Sequence, residues 1–465
     1  MDSNVYTILY NRKGQHEIQE HGGFQLLSTY LDDLEKRLLR TDCRQEDEDI
    51  REAVKEMAWN ILRGIKEVDP YFVVSKLESV GSIAEGTKLG KPDEFDFVAL
   101  MQCFDESKYS VKVINECGNS GTAHIRCSTS SNLPVEILAD DEEEHLPNIE
   151  NSSLRYVSPV KFRIRFWNLF TSVAVHISKN KQRIIKPMGY LTLVEEVAQH
   201  LDMFVKGPNV EIEMIWTSAS SGDRHGICVD VTPALKVFSD SIPFVGINYH
   251  LLENALVNTG KDFKDIFLIP AVNMDCKHGG HSDPFKKLCW RLSLSTIETE
   301  MIRSMDSAHK KCFRILKFLK SNQRDALDNM KQLGLNITAD RFSSVVIRMY
   351  HDETHVLTTY MLKAVLLHHN LRCIDESKNI AKCMMEMLSF LNDCIDKRLL
   401  TSYFLKDKNL WSQGGSALPV FLLKPSIERL LGMFTEVIVK QQISFQNFCD
   451  KFQDIQSYLT ENDGI

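Results

Sequence analysis

The chain has 465 residues, of which 43% are hydrophobic and 25% charged, with a formal net charge of −8. The length allows two large lobes or three ordinary domains, and the composition is that of a globular protein, which excludes a disordered chain. The acidic balance excludes whole-molecule attraction to nucleic acid, so any such contact must come from local basic patches.

The N-terminus, MDSNVYTILYNRKGQ, has no apolar signal core, and runs such as FWNLFTSVAVHI are too short to span a membrane. Twelve cysteines without a CxxC or regular spacing point to buried thiols in a reduced, cytoplasmic protein. Residues 1–45 read as an extended piece, VYTILY, followed by a helix around FQLLSTYLDDLEKRLLR. Residues 46–68 predict a strong amphipathic helix: acids crowd its first turn, and Ile50, Val54, Met57, Ala58, Ile61 and Ile65 form one apolar stripe.

The next stretch, VGSIAEGTKLGKPDEFDFVAL at 80–100, organises the chain. Glu94 and Asp96 are two apart in an apolar run, so they share one face of a strand while Phe95 and Phe97 take the other. Two acids on a hydrophobic strand call for a partner, and the usual partner is a metal ion. Upstream, Gly81 and Ser82 form a turn whose backbone N–H groups and hydroxyl suit a phosphate. Downstream, Asp230 lies alone in the apolar run GICVDVTPALKVF, after the polar turn SASSGDRHG. Glu94, Asp96 and Asp230 read as one metal-binding triad, the parts of a nucleotidyl transferase that holds two divalent cations, Mg²⁺ or Mn²⁺, over a triphosphate.

Further strands are expected at 95–101, 111–115, 122–127, 134–138, 210–217 and 226–232, with a helix over 158–178 and a solvated acidic loop, DDEEE, at 140–144. From about 236 the pattern turns helical, through 289–305, 307–320, 352–369, 376–397, 425–441 and 443–460. The expected fold is α+β and bilobed: an N-terminal segment (1–45), a mixed-sheet nucleotidyltransferase core with a spine helix (46–235), and a helical C-terminal lobe (236–465), with an active cleft between the lobes.

The stretch GSIAEGTKLGKPDEFDF, followed by VDVTPALKV and then CWRLSLSTIETE, resembles the cyclic GMP–AMP synthase-like receptors of animals, in the male-abnormal (Mab) nucleotidyltransferase superfamily. The resemblance runs from the helix at 46–68 to LLTSYFLKDKNLWSQ. It implies an innate-immune, antiviral enzyme that joins ATP and GTP into a cyclic dinucleotide of the cGAMP type when double-stranded nucleic acid binds, with dimerisation on that nucleic acid. It also implies that Gly81 and Ser82 grip phosphate, and that Glu94, Asp96 and Asp230 hold the metals. Arg291, Ser293 and Ser295 match nucleotide-contacting positions, Lys317 a lysine near the donor triphosphate, and Thr359 and Tyr360 a hydroxyl residue and a base-stacking tyrosine. Helical spacing puts Lys363 on the face of Thr359 and Tyr360.

Two departures shape the expected activator. No Cys-rich zinc insertion lies between WRLSLS and Cys312, and no long basic N-terminal tail is present, so no zinc is expected and double-stranded RNA is favoured over DNA. The cluster Cys276, His278 and His281 lacks a fourth ligand at sensible spacing. Val80 stands where the vertebrate enzyme has a threonine, which leaves nucleotide order and linkage open. Lys310, Arg314, Lys317 and Arg324, with Lys311 and Lys320 beside them, recur at helical spacing as a basic stripe suited to phosphate backbones, and Lys36, Arg37, Arg40 and Arg44 extend it. The alternatives are a catalytically silent developmental relative acting as a scaffold or ligand-binding module, and a template-independent RNA polymerase. Retention of the triad argues against the first, and WRLSLS with the basic stripe against the second.

Overall fold

The computed structural model describes residues 15–39, 44–102, 112–114, 121–128, 133–139, 154–194, 207–236, 246–262, 265–270, 288–320, 357–373, 379–411, 418–441 and 444–451. The chain divides into two compact units, one of Thr41–Ser304 with Phe404–Lys408, the other of Met1–Arg40, Met305–Tyr403 and Asn409–Ile465.

The first unit is built on a mixed sheet. Helix α2 (Arg44–Val68) leads into β1 (Val74–Val80), a short helix α3 (Gly81–Glu85) and β2 (Glu94–Met101). Then come β3 (Lys112–Ile114), β4 (Thr122–Ser128), β5 (Leu154–Tyr156) and helix α4 (Pro159–Lys179). The hairpin β6 (Arg183–Lys186) and β7 (Gly189–Leu193) precedes β8 (Val210–Ser218) and β9 (Arg224–Lys236). Helix α5 (Tyr249–Thr259), β10 (Phe267–Ile269), β11 (Trp290–Ser293) and α6 (Ser295–Ser304) complete the unit. The described strands run in the order β3-β4-β11-β10-β9-β8-β7-β6, with β1 and β2 branching from β9 and β5 pairing with β4.

β9 is the hub. Its first part is flanked by β2 in parallel and β8 antiparallel, and its last residues pair with β10. Pro233 is tolerated there because it falls in the gap between the β8 pairing, which ends at Val231, and the β10 pairing, which begins at Leu235. The spine helix α2 buries its whole predicted stripe, all six residues. It also hydrogen-bonds to the sheet: Trp216 Nε1 donates to Glu46 Oε1 at 2.9 Å, and the Met188 amide donates to Asp49 Oδ2 at 2.8 Å. At its end, Asp69 Oδ2 accepts from Nε and Nη2 of Arg165 on α4, at 3.1 and 2.9 Å.

The second unit contains α1 (Gln15–Leu38), α7 (Ser307–Lys320), α8 (Thr359–Arg372), α9 (Ile380–Lys397) and α10 (Leu418–Lys440) among its described residues. α1 buries Leu27, Leu31, Leu34 and Leu38, and packs on α7, α9 and α10.

Three expectations need correction. The sheet does not end near 235: β10 and β11 extend it to Ser293, so WRLSLS is a strand running into α6 and belongs with the sheet unit. The 134–138 strand is a single 3₁₀ turn, closed by Ile137 N–H to Pro134 O and Leu138 N–H to Val135 O, since Pro134 fixes a turn-like φ of −56°. The N-terminal helix α1 is part of the C-terminal helical unit and no separate segment. The expected strand VYTILY, the acidic loop at 140–144, Arg40, Cys276, His278, His281 and Arg324 lie outside the described residues. No helix among the described residues is long and apolar enough to cross a membrane.

Candidate active site

Register brings the three acids together. In the parallel β2–β9 pair, Asp96 lies beside Asp230 and Glu94 beside Cys228. Phe95 and Phe97 turn to the opposite face, buried and stacked with centroids 6.3 Å apart. Further along the acid face, Val98, Leu100 and Ala234 close into an apolar cluster with Val80, Phe267 and Ile269. The carboxylates thus stand at the edge where a dry face opens.

Gly81 accounts for the turn. Its φ is +72°, and a Cβ there would fall 2.0 Å from Asp96 Oδ2. Glycine is required both for the left-handed backbone and for the room that the carboxylate occupies. Ser82 follows on α3, and its carbonyl accepts from the Thr87 amide at 2.8 Å.

Asp230 is electrostatically unusual. Burial, with the nearby carboxylates of Glu211 and Glu94, pushes its carboxyl up to about 6, although a hydrogen bond with Asn209 opposes the rise. Its Oδ1 is buried and has no hydrogen-bond partner among the described residues. A buried carboxylate oxygen of this kind suits a cation, as does a donor set made of oxygens. Glu94, Asp96 and Asp230 share one sheet face and offer only oxygen donors, which fits a hard divalent cation.

The sequence reading missed four neighbours. Glu211, paired with Asp230 across β8–β9, forms with Cys228 and Asp230 a group whose ligand atoms lie within 4.8 Å of one another. Burial pushes the Cys228 thiol well up, so it stays protonated at neutral pH. Asn209 holds Asp230. Lys88 ion-pairs with Asp93 and reaches Glu94 Oε2 at 3.5 Å. The alternation VEIEMIWTS of β8 was the available signal for Glu211.

Following register from Asp230 along β9 to Lys236, then to Phe267 and Ser293, keeps one face of the sheet, so Ser293 and Arg291 share the face of the acids. Ser293 Oγ and Ser295 Oγ lie 3.0 Å apart, joining the end of β11 to the start of α6. Residues 83–304 match the Mab-21 protein nucleotidyltransferase domain. This part of the chain is thus similar to a nucleotidyltransferase domain of the Mab-21 type.

That domain ends where the helical unit begins, and the remaining candidates lie in the latter. Thr359, Tyr360 and Lys363 sit in the first turns of α8, and Tyr360 is 42% exposed, so it is no core residue. Lys320 Nζ donates to Thr359 Oγ1 at 3.1 Å, which ties the end of α7 to the start of α8. Lys317 Nζ lies 5.6 Å from the Phe313 ring centroid on its own helix.

The basic stripe on α7 is largely committed within the unit. Lys311 pairs with Asp32 of α1 at 2.6 Å, and Arg314 Nε donates to Glu35 Oε1 at 2.7 Å. The side chains of that second pair are only 12% and 3% exposed. Arg314 and Lys311 thus neutralise acids of α1. Lys36 pairs with Asp33 at 3.1 Å, Arg37 lies over the Phe445 ring at 4.6 Å, and Arg44 opens α2.

Proposed function

We propose that this protein joins ATP and GTP into a cyclic dinucleotide for innate immune signalling, and that double-stranded RNA switches it on. The transferase part is supported above all by Asp96 and Asp230, side by side in register, with a buried and unbonded Asp230 oxygen. Divalent cations bound there supply charge neutralisation at the α-phosphate and a lowered pKa for the attacking ribose hydroxyl. Glu94, Asp96 and Asp230 would hold them, and Gly81 and Ser82 would place the phosphates beside Asp96. Arg291 and Ser293, on the same sheet face, and Ser295, at the start of α6, are assigned to nucleotide contacts. Lys317, Thr359, Tyr360 and Lys363 take the donor phosphates and a base, on the strength of the sequence resemblance. Lys310 is the residue of α7 that we assign to the activator.

The test is incubation of the full chain with the four nucleoside triphosphates, Mg²⁺ or Mn²⁺, and matched RNA or DNA duplexes, followed by mass spectrometry. A cyclic dinucleotide formed with RNA is the expected product. Equal or greater yield with DNA overturns the RNA assignment, and yield independent of both duplexes overturns the sensor reading.

A silent scaffold of the same superfamily has one observation in its favour. Lys88 stands against Glu94 and Asp93 and can satisfy Glu94 without a metal. Absence of any nucleotide product with either metal and either duplex would select it.

A further inference from the structure

We propose that His309, His369, Cys373 and Cys383 form a structural zinc site within the helical unit. His309 lies in the first turn of α7, His369 in the last turn of α8, Cys373 caps that helix, and Cys383 lies in the first turn of α9. Three helices therefore bring their ends to one point. One ligand atom from each of the four residues lies within 4.8 Å of the other three. His309, His369 and Cys383 are buried and Cys373 is partly so.

The geometry separates a metal site from its rivals. The two sulfurs are 4.0 Å apart. A disulfide needs about 2.05 Å. Two thiolates on a tetrahedral zinc, each at about 2.3 Å, stand about 3.8 Å apart. The imidazole rings meet edge to face, with centroids 4.9 Å apart at 85°, so their nitrogens can converge without stacking. His369 Nδ1 lies 3.4 Å from Glu386 Oε2. That carboxylate fixes the ring and leaves Nε2 for the metal, the outer-shell arrangement that ligating histidines commonly have. Cys312, one turn beyond His309, donates its S–H to Ile380 O at 3.4 Å and stands outside the set.

Two imidazoles and two thiolates are the soft, closed, four-ligand set of structural zinc, and the burial suits a neutral complex. Binding Zn²⁺ to two neutral imidazoles and two thiols releases two protons and leaves no net charge in the interior. The ligands are spread over 75 residues in the order His, His, Cys, Cys, with no finger-like spacing, so the set is not legible in the sequence, where the missing Cys-rich insertion led to an expectation of no zinc. The site is independent of the catalytic reading above.

The experiment uses the full chain, purified on a tag that does not bind metal and without chelator. Zinc is measured by inductively coupled plasma mass spectrometry. About one zinc per chain is expected, retained in Cys312→Ser and lost in Cys383→Ser and in His309→Ala. If those variants do not fold, wild-type protein exchanged into Co²⁺ decides: thiolate-to-cobalt charge-transfer and tetrahedral d–d absorption are expected. Zinc-free wild-type protein that binds neither added Zn²⁺ nor Co²⁺ overturns the proposal. So does full zinc content in folded Cys383→Ser.

Discussion

Asp230 is penalised for being ionised where it sits. Its carboxyl rises from 3.8 to about 6 in the fold, chiefly through burial. A raised carboxyl stabilises the fold below the unfolded value and loses that contribution as pH climbs through the folded one. In metal-free buffer, Asp230→Asn should therefore melt above wild type at pH 7.5, by about 2–4 °C. The gap should narrow below about 6 and close near 3.8. Mg²⁺ should raise the wild-type Tm and leave the variant unmoved, while turnover falls by orders of magnitude. Equal melting at both ends of that pH range would contradict the burial of charge. Gly81→Ala tests the neighbouring turn against a matched control. Gly81 and Gly222 have nearly equal φ, +72° and +73°, but only at Gly81 would a Cβ meet anything within 4 Å. Both substitutions should cost the left-handed strain of about 1–2 kcal/mol. Only Gly81→Ala should also displace Asp96, seen as loss of the Mg²⁺-induced Tm shift.

Among the elements, α1 and α7 are joined by a buried pair. Removing one partner of such a pair leaves a buried charge, so Glu35→Ala or Arg314→Ala should cost about 3–5 kcal/mol in denaturant unfolding. The double change Glu35→Leu with Arg314→Met should recover most of it. If Arg314→Ala unfolds like wild type, the pair is not structural. This pair also marks where sequence reasoning stops. Nothing in the sequence gives Asp32 and Glu35 a partner, because those partners lie 279 residues away. The same holds for the converging His and Cys ligands. What was legible came from local period: the six-residue stripe of α2, the alternating faces of β2, and the isolated acid of β9. What was not legible depended on pairing. Four-residue pieces such as RIIK and WRLS carry too few alternations to declare a strand, and become strands through neighbours. Glu211 lay on a correctly expected strand, yet only register shows that it faces Asp230.

For the whole molecule, activation is the test of charge. With a net charge of −8, the duplex binding proposed above would have to rely on a few local cations against an unfavourable overall field. RNA-stimulated product formation should fall steeply with salt, and Lys310→Glu should weaken it. Stimulation that survives high salt would point to another activator. The connectivity has a further consequence, for biosynthesis. The chain leaves the helical unit at Tyr403 and contributes Phe404–Lys408 to the sheet unit before returning. There Leu405 bridges to Ile247 and packs at Gly121, and the Asn248 amide bonds to Phe404 O at 2.8 Å. A ribosome emitting this protein therefore produces α1 well before its partners α7, α9 and α10, which follow some 270 to 380 residues later. The leucines of α1 stay uncovered through most of translation, the interval in which holdase chaperones act on nascent chains. A gene fragment stopped after Ser304 would encode a sheet unit missing one of its own stitches.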